Sequence, residues 1–368
     1  MSFLNKFLSL TILLIFSLLT GCDNQSLSSE IPKNIILFIG DGMGLSQITA
    51  AKIAKGRLNL EKFETIGLLT TYSKDDLVTD SGAAATAIAT GHKTYNGAIA
   101  CDSKKNTLKT IFEYAKEKGK STGLVVTCTI THATPAAFVA HVDDRNKHAE
   151  IAEQIAESDL DVMIGGGWAY FVPESFAESK RRDAKDLLAV MKKKQMQIAL
   201  SIKELRETKN PKKLACFVAP VNLPKVKARD YSLAELTSRA ISILSKNEKG
   251  FILMVEGSQI DWAAHDNNSD DIISEVIDFD DAVGIGLEYA LYNKNTLVLV
   301  TADHETGGYA IHGGSIGARK VTASGFTTTD HTAVMVPLFA YGPGDKYFGG
   351  IQDNTIIGKR IIEFYSTF

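Results

Sequence analysis

The sequence predicts an α/β fold in which a doubly wound, mostly parallel central sheet carries helices on both faces. From residue 33 onward, short apolar runs that end in glycine or polar residues alternate with amphipathic stretches. Candidate catalytic groups follow several of those apolar runs directly. The chain has 368 residues, 45% of them hydrophobic, which is enough to bury a large core. In such a sheet, functional groups collect at the carboxyl ends of the strands, so one shared site is expected.

The apolar runs and the amphipathic stretches place the elements. Strands are predicted over residues 34–39, 67–71, 122–127, 161–164, 251–255, 296–301 and 338–341. Helices are predicted over residues 107–118, 148–157, 183–194, 232–245 and 271–292. The mixed-sign charged region from 178 to 213 is expected to be helical surface.

The N-terminus has the pattern of a targeting segment. Lys6 precedes an apolar run over residues 7–19, which is too short to span a membrane comfortably and suits a signal peptide. The run leads into Leu-Thr-Gly-Cys ending at Cys22, which resembles the lipobox of bacterial lipoproteins. An ordinary secretory signal with a chance cysteine is the alternative. The expected division is a signal peptide over residues 1–21, a tether over 22–32 and a single catalytic domain over 33–368.

This N-terminus predicts export and attachment to a bilayer through acyl chains on Cys22, on the periplasmic or cell-surface side of a bacterial membrane. An oxidising compartment would permit one disulfide and one free thiol among Cys101, Cys128 and Cys216, without indicating which residues pair. A net charge of −3 with no long Lys/Arg run argues against a nucleic-acid surface.

Ser81 is the candidate nucleophile. It lies in Thr-Asp-Ser-Gly, followed by an alanine-rich run that ends at Gly91. Alanine favours helix and glycine ends it, so Ser81 is predicted at a helix N-terminus, where backbone N–H groups stabilise an alkoxide or a phosphate. The alternative is that Asp80 or Ser81 only caps the helix.

Candidate metal ligands accompany the first and sixth predicted strands and the last. Asp41 follows the first strand in Gly-Asp-Gly-Met-Gly, where its carboxylate would repel a phosphate and favours a metal. A tight turn is the alternative there. Asp303 and His304 follow the strand over residues 296–301. His331 precedes the last strand, where a polar loop residue is the alternative.

Two further segments carry candidate ligands. Glu256 ends the strand over residues 251–255, and Asp261 and His265 follow it four residues apart, on one face if the segment is helical. An N-capping aspartate and a surface histidine are the alternative. Thr134 offers a hydroxyl of the kind magnesium accepts. Arg145 offers a planar guanidinium that can bind two phosphate oxygens at once, and a surface salt bridge is the alternative for this residue.

Together these segments resemble the bacterial alkaline phosphatases. The resemblance rests on T-D-S-G-A-A-A-T-A, G-D-G-M-G, T-H-A-T-P-A-A, V-E-G-S-Q-I-D-W-A-A-H, T-A-D-H-E-T-G-G and the late D-H-T, in family order from about residue 35 to about residue 344. It implies a metal-dependent phosphomonoester hydrolase that forms a phosphoserine on Ser81 and releases inorganic phosphate.

The resemblance also implies a role for each ligand. One zinc ion would be held by Asp261, His265 and His331, a second by Asp41, Asp303 and His304, and a magnesium ion by Asp41, Thr134 and Glu256. Arg145, steadied by Asp80, would bind the non-bridging phosphate oxygens.

Two positions depart from the enterobacterial pattern of the family. His132 stands where that pattern has aspartate, and Trp262 where it has lysine. Both are expected beside the third metal and the phosphate, so the identity and affinity of that ion stay open. The segment over residues 304–331 is short where dimeric relatives can carry a large insertion, so a homodimer is one of two alternatives.

Two rival functions remain at this stage. A phosphodiesterase, sulfatase or metal-dependent mutase of the same superfamily would share the two-metal ligands, but the C/S-x-P-x-R context of a sulfatase is absent around Ser81. A lipid-anchored phosphate-binding protein would explain Arg145 and the anchor, but not a serine among so many metal ligands.

Overall fold

The computed structural model describes residues 31–366. The predicted signal peptide over residues 1–21, the lipidation site Cys22 and all but the last two residues of the tether lie outside the described residues. Among the residues that the structure describes, no helix is both long and apolar enough to cross a bilayer.

Most of the apolar runs in the sequence form strands of the large sheet. In chain order they are β1 (Asn34–Gly40), β2 (Thr65–Thr70), β3 (Ser121–Thr129), β4 (Val162–Gly166), β5 (Gln197–Ala199), β6 (Leu214–Ala219), β7 (Phe251–Gly257), β8 (Thr296–Thr301), then β13 (Val336–Tyr341) and β14 (Gly350–Asp353). Four short strands lie between β8 and β13: β9 (Glu305–Thr306), β10 (Ala310–Ser315), β11 (Lys320–Gly325) and β12 (His331–Thr332).

The helices alternate with these strands. They are α1 (Leu45–Lys55), α2 (Ser81–Thr90), α3 (Ile111–Glu117), α4 (Ala133–Ala136), α5 (His148–Glu157), α6 (Leu187–Lys193), α7 (Ile202–Glu207), α8 (Leu233–Leu244), α9 (Gln259–His265), α10 (Ser269–Tyr292) and α11 (Thr355–Ser366).

The ten strands of the large sheet lie in the order β14-β2-β13-β8-β1-β7-β3-β4-β6-β5. β13 is antiparallel to both of its neighbours. The other neighbouring strands in the sheet are parallel. The predicted mostly parallel α/β sheet is therefore confirmed.

The register of the central strands sets the place of the site. Ile39 of β1 pairs with Glu256 of β7 on one side and with Thr301 of β8 on the other. Asp41 and Asp303 each follow two residues after the paired positions on their own strands. Since parallel strands end at a common edge, these carboxylates meet there.

The interior of the sheet is apolar, because strands covered on both faces must be hydrophobic throughout. All seven residues of β1 are buried, and so are all seven of β7. Phe38 packs edge-on against Phe279 of α10, with ring centroids 6.1 Å apart. These buried, closely packed strands hold in place the strand ends at which the site lies.

The structure corrects parts of the sequence interpretation. The charged region from 178 to 213 is not continuous helical surface, since β5 lies between α6 and α7 and joins the sheet edge beside β6. The sequence patterns predict neither the strands β5, β6 and β14 nor the helices α1 and α11. Cys101, Cys128 and Cys216 are separate buried thiols, and no pair of them forms a disulfide.

Candidate active site

Ser81 is the first residue of α2, as the alanine-rich sequence predicts. All ten residues of this helix are buried, and it ends at Gly91, whose φ of 75° lies in the left-handed region that favours glycine. Asp80 is the N-cap, and its Oδ1 accepts a hydrogen bond of 2.9 Å from the backbone N–H of Ala83. The capping role therefore belongs to Asp80, and it leaves the hydroxyl of Ser81 available for chemistry.

The hydroxyl of Ser81 faces an imidazole. Its Oγ lies 3.4 Å from Nε2 of His304, and both side chains are buried. His304 belongs to two groups of potential metal ligands whose donor atoms lie within 4.8 Å of one another. One group is Asp41, Asp303 and His304, and the other is Asp261, His304 and His331. We call them the paired clusters.

The first of the paired clusters holds two fully buried carboxylates close together. Nε2 of His304 lies 3.5 Å from Oδ1 of Asp41 and 3.3 Å from Oδ2 of Asp303. Burial, followed by repulsion from Asp303 and Asp261, raises the pKa of Asp41 well above its usual range. Within residues 31–366, both Asp41 oxygens and Oδ2 of Asp303 lack a hydrogen-bond partner. Buried unpaired carboxylates are costly, so this group fits a bound cation.

The second of the paired clusters is centred on Asp261. Its Oδ2 lies 3.3 Å from Nε2 of His265, and its Oδ1 lies 3.6 Å from Nε2 of His331. Against the effect of burial, the hydrogen bond with His265 and the charges of His304 and His331 hold the pKa of Asp261 well below its usual range. That hydrogen bond raises the pKa of His265 to about 9. His265 therefore joins this cluster beside Asp261, as predicted for a helical i, i+4 pair.

Backbone carbonyls orient two of these imidazoles. Nδ1 of His331 donates to the carbonyl of Thr79, at 2.9 Å, and Nδ1 of His265 donates to the carbonyl of Thr329. A carbonyl only accepts hydrogen bonds, so each Nδ1 carries the proton and each Nε2 is free to bind a metal. The same arrangement is common behind metal-binding histidines.

A third group lies on the other side of Asp41. One donor atom each of Cys128, His132 and Glu256 lies within 4.8 Å of the others, and we call this group the third cluster. Burial, followed by the charge of Asp303, raises the pKa of Glu256 to about 7. Burial and the nearby Arg145 lower the pKa of His132 to about 3. The hydroxyl of Thr134 is fully buried beside this group, and no described residue gives it a partner at hydrogen-bond geometry.

Arg145 lies at the mouth of the site. Its Nη1 donates to Oδ2 of Asp80 at 2.8 Å, and its Nη2 lies 3.3 Å from Nε2 of His132. Against the effect of burial, Arg145 lowers the pKa of Asp80. The ring of His132 packs edge-on against Trp262, with centroids 6.0 Å apart. The structure thus places both departures from the enterobacterial pattern next to the third cluster.

The site contains two residues to which the sequence analysis gave no role. Thr306 donates its hydroxyl to Oδ1 of Asp261 and accepts from Nδ1 of His304 at 3.2 Å, so it orients a residue of each paired cluster. Cys128 lies near the carboxyl end of β3, a position at which a ligand is expected. That strand-end position is the signal in the sequence that could identify Cys128 as a ligand. From the sequence alone, this cysteine is assigned only to possible disulfide pairing.

Comparisons with known proteins show the family of the chain. The alkaline phosphatase family model matches residues 32–323. Alkaline phosphatase 4 of Bacillus subtilis is 35% identical over 91% of this chain and 89% of its own length. Alkaline phosphatase of Escherichia coli is 34% identical over 91% of this chain and 86% of its own length.

Solved structures give the same result. The alkaline phosphatase from the Antarctic bacterium TAB5 superposes with a TM-score of 0.85 and 41% identity, covering 92% of this chain and 99% of that one. Two variants of that enzyme, with a histidine replaced by glutamate or aspartate, have Mg bound in the M3 site.

The fold and the ligand clusters define a metal-dependent hydrolase. The chain belongs to the alkaline phosphatase family, and it is a phosphomonoester hydrolase.

Proposed function

We propose that the chain hydrolyses phosphomonoesters through a phosphoserine on Ser81, with two zinc ions in the paired clusters and a magnesium ion beside Glu256. One observation carries this proposal: the hydroxyl of Ser81 lies 3.4 Å from His304, the imidazole shared by both paired clusters. A serine in that position is next to the cations that activate it.

The residues fit the proposed metals. The donors of the paired clusters are imidazole nitrogens and carboxylate oxygens, which zinc accepts. Two bound zinc ions would supply charge neutralisation on the attacking and leaving oxygens of an in-line displacement and would lower the pKa of the Ser81 hydroxyl.

In the proposed reaction, Ser81 Oγ attacks phosphorus and loses its proton, while the ester P–O bond breaks and the leaving alkoxide takes up a proton. Water then attacks the phosphoserine and loses a proton, the Ser81 O–P bond breaks, Ser81 Oγ takes up a proton, and inorganic phosphate leaves. The backbone N–H groups at the start of α2 point towards the phosphoryl oxygens, since Ser81 is the first residue of that helix.

Arg145 is proposed to bind the non-bridging phosphoryl oxygens. Its guanidinium is held by Asp80 through Nη1, which leaves other N–H donors directed into the site. Asp80 therefore serves twice, because it caps α2 behind the nucleophile and orients the arginine in front of it. Such preorganised donors do not have to reorganise during the reaction.

The third ion is proposed to be magnesium bound by Asp41, Thr134 and Glu256. Magnesium prefers oxygen donors, and four buried oxygens have no hydrogen-bond partner in the described part of the chain: Oδ1 and Oδ2 of Asp41, Oγ1 of Thr134 and Oε1 of Glu256. Mg in the M3 site of the two TAB5 variants supports this choice.

The protein residues named so far bind only the phosphoryl group. A site of that kind accepts many leaving groups, since it makes no contact that depends on the alcohol. We therefore propose a broad range of phosphomonoester substrates.

The function is tested with matched chromogenic substrates that share one leaving group. Phosphomonoester, phosphodiester and sulfate ester turnover are measured on the same preparation, together with its zinc and magnesium content. We expect a burst of leaving group on the monoester, monoester turnover above the other two, and two zinc ions per chain. Preferential turnover of the diester, or a protein that binds phosphate without turnover, would contradict the proposal.

We also propose that the mature protein is exported and anchored through acyl chains on Cys22, as its N-terminal sequence predicts. Cys22→Ala should move the activity from the membrane fraction to the soluble fraction, or block processing. A fully processed variant that stays in the membrane fraction would exclude the anchor. A homodimer stays an expectation, and sedimentation equilibrium of the purified protein measures it.

A further inference from the structure

Cys128 has no part in the proposed ligand set of the third ion, although it lies at the same place. It is fully buried near the end of β3, and its Sγ lies 3.4 Å from Oε2 of Glu256. A sulfur atom, an imidazole nitrogen and a carboxylate oxygen are thus gathered within 4.8 Å.

The polar atoms around this sulfur are not satisfied within the protein. Oγ1 of Thr134, Oε1 of Glu256 and Oγ of Ser258 are on fully buried side chains, and among the described residues none of these atoms has a partner at hydrogen-bond geometry. Nδ1 of His132 also lacks one. The hydroxyls of Thr134 and Ser258 and the thiol of Cys128 all neighbour the carboxylate of Glu256. Buried polar atoms without partners are rare in folded proteins, and their convergence indicates a ligand between them.

We propose that Cys128 is a zinc ligand, so that the third cluster binds zinc through Cys128, His132 and Glu256 in competition with magnesium. This inference rests on the proposed function, since it concerns the third ion of that site. Zinc accepts sulfur and imidazole donors readily, whereas magnesium requires oxygen donors. The cluster offers both sets of donors around the same Glu256.

The two ions exclude each other, because both need Glu256. Zinc binding displaces the thiol proton of Cys128 into solvent and forms a sulfur–zinc bond. Magnesium binding uses Thr134, Glu256 and Asp41 and leaves the thiol protonated. A rise in free zinc therefore replaces magnesium at this site while the paired clusters keep their ions.

The chain provides a matched control for this cysteine. Cys216 is also a fully buried free thiol on a strand of the large sheet, and its Sγ contacts the carbonyl of Ser201. Among the described residues it belongs to no group of potential metal ligands. Replacing Cys216 removes a buried thiol without touching the site.

Cobalt(II) is the probe, because thiolate–cobalt bonds absorb in the near ultraviolet and the paired clusters contain no sulfur. The metal-free full-length protein is titrated with cobalt alone. We expect the charge-transfer absorption to rise with the third equivalent in the wild type and in Cys216→Ala. It should be absent in Cys128→Ser and in Cys128→Ala.

A competition measurement on the same proteins gives the magnitude of the preference for zinc over magnesium at the third site. Zinc should remove the cobalt absorption of the wild type at concentrations where magnesium does not. The preference of the third site for zinc over magnesium should fall on the order of tenfold or more in Cys128→Ser. Circular dichroism establishes that each variant is folded.

Two outcomes overturn the proposal: no charge-transfer absorption in the wild type with three cobalt ions bound, or the same absorption in folded Cys128→Ser. The wild-type result is decisive even if both Cys128 variants fail to fold. Monoester turnover by a wild type that lacks the absorption would remove the role of Cys128 and leave the proposed function intact. Absorption without monoester turnover would support the role of Cys128 and contradict the proposed function.

Discussion

The paired clusters and the third cluster lie at the same edge of the sheet and differ in charge and in donor chemistry. The paired clusters bring together the three carboxylates of Asp41, Asp261 and Asp303, whose ion-pair partners among the described residues are imidazoles. The third cluster has a single carboxylate, that of Glu256, a thiol, and an imidazole in contact with Arg145.

Under the proposed function, this difference distinguishes the two ions that would take part in the reaction from the third ion, which would adjust its rate. Three buried carboxylates attract cations strongly, so the paired clusters should hold their two proposed ions tightly. The third ion would share Asp41 with the paired clusters, and its other carboxylate, Glu256, lies in a cluster with an imidazole that contacts Arg145, so this ion should be held less tightly and exchange. Adding magnesium to the purified protein should then raise its activity while its zinc content stays constant.

The largest effect should come from Ser81→Ala, which leaves both paired clusters intact and removes the nucleophile. Monoester turnover should fall more than about 10³-fold while zinc content stays at the wild-type level. Steady-state kinetics with metal analysis of the same sample measures both, and the exposed Ser242→Ala on α8 is the control. Residual turnover within a few-fold of the wild type would exclude the covalent mechanism.

Arg145→Ala should have the second largest effect, because Arg145 is proposed to bind the phosphoryl group and contacts Asp80 and His132 rather than either of the paired clusters. We expect monoester turnover to fall on the order of 10²-fold and inhibition by inorganic phosphate to weaken. A diester has one fewer free oxygen to bind, so its turnover should fall less. Arg145→Lys keeps the positive charge but lacks the planar guanidinium that binds two oxygens, so it should recover part of the lost monoester turnover. Equal losses on monoester and diester would show that the arginine is structural.

The double change His132→Asp with Trp262→Lys should sharpen the comparison by making the third cluster richer in oxygen donors and in charge. Magnesium should bind on the order of tenfold more tightly, as isothermal titration measures. Phosphate release should slow, since a lysine near the product holds it longer. Equal magnesium affinity before and after the change would refute this account of the two positions.

The smallest effect concerns the stability of the metal-free protein. Burial and Asp303 raise the pKa of Glu256 from 4.5 to about 7, so the folded chain retains a proton that the unfolded chain loses first. The contribution of Glu256 to stability therefore falls as the pH rises from 4.5 to about 7.

Glu256→Gln cannot titrate, so the metal-free variant should gain stability relative to the wild type across this window. Urea unfolding of both proteins below pH 4.5 and above pH 7 measures the difference, with the exposed Glu248→Gln as the control. Saturating metal should reverse the sign, because glutamine is the weaker ligand. A difference that does not change with pH would mean that Glu256 titrates normally in the folded protein.

The sequence predicted the parts of this site that short-range chemistry determines. The strand-end positions of Asp41, Glu256 and Asp303 followed from apolar runs that stop at a carboxylate, and the alanine run placed Ser81 at the start of α2. The structure brings these residues together as expected. The sequence suggested a helix cap and a nucleophilic Ser81 as alternatives, whereas in the structure Asp80 is the cap and the hydroxyl of Ser81 is not needed for that role.

The remaining features depend on contacts between distant segments. Thr306 orients Asp261 across 45 residues, and Cys128 meets Glu256 across 128 residues, so no local pattern marks either contact. β5 is only three residues long and lies in a charged segment, where its apolar signal is too short to distinguish it from the flanking helices. Its pairing with β6 places it in the sheet.

The central claim is that Ser81, served by the paired clusters alone, forms the covalent intermediate. Wild-type protein, Ser81→Ala and Glu256→Gln are mixed with a phosphomonoester, quenched in acid, digested and mapped by mass spectrometry, with zinc content measured before mixing. The account predicts phosphate on Ser81 in the wild type and in Glu256→Gln, each with two zinc ions, and none in Ser81→Ala. An unmodified Ser81 in the wild type, or loss of the phosphoserine in Glu256→Gln while both zinc ions remain, would contradict it.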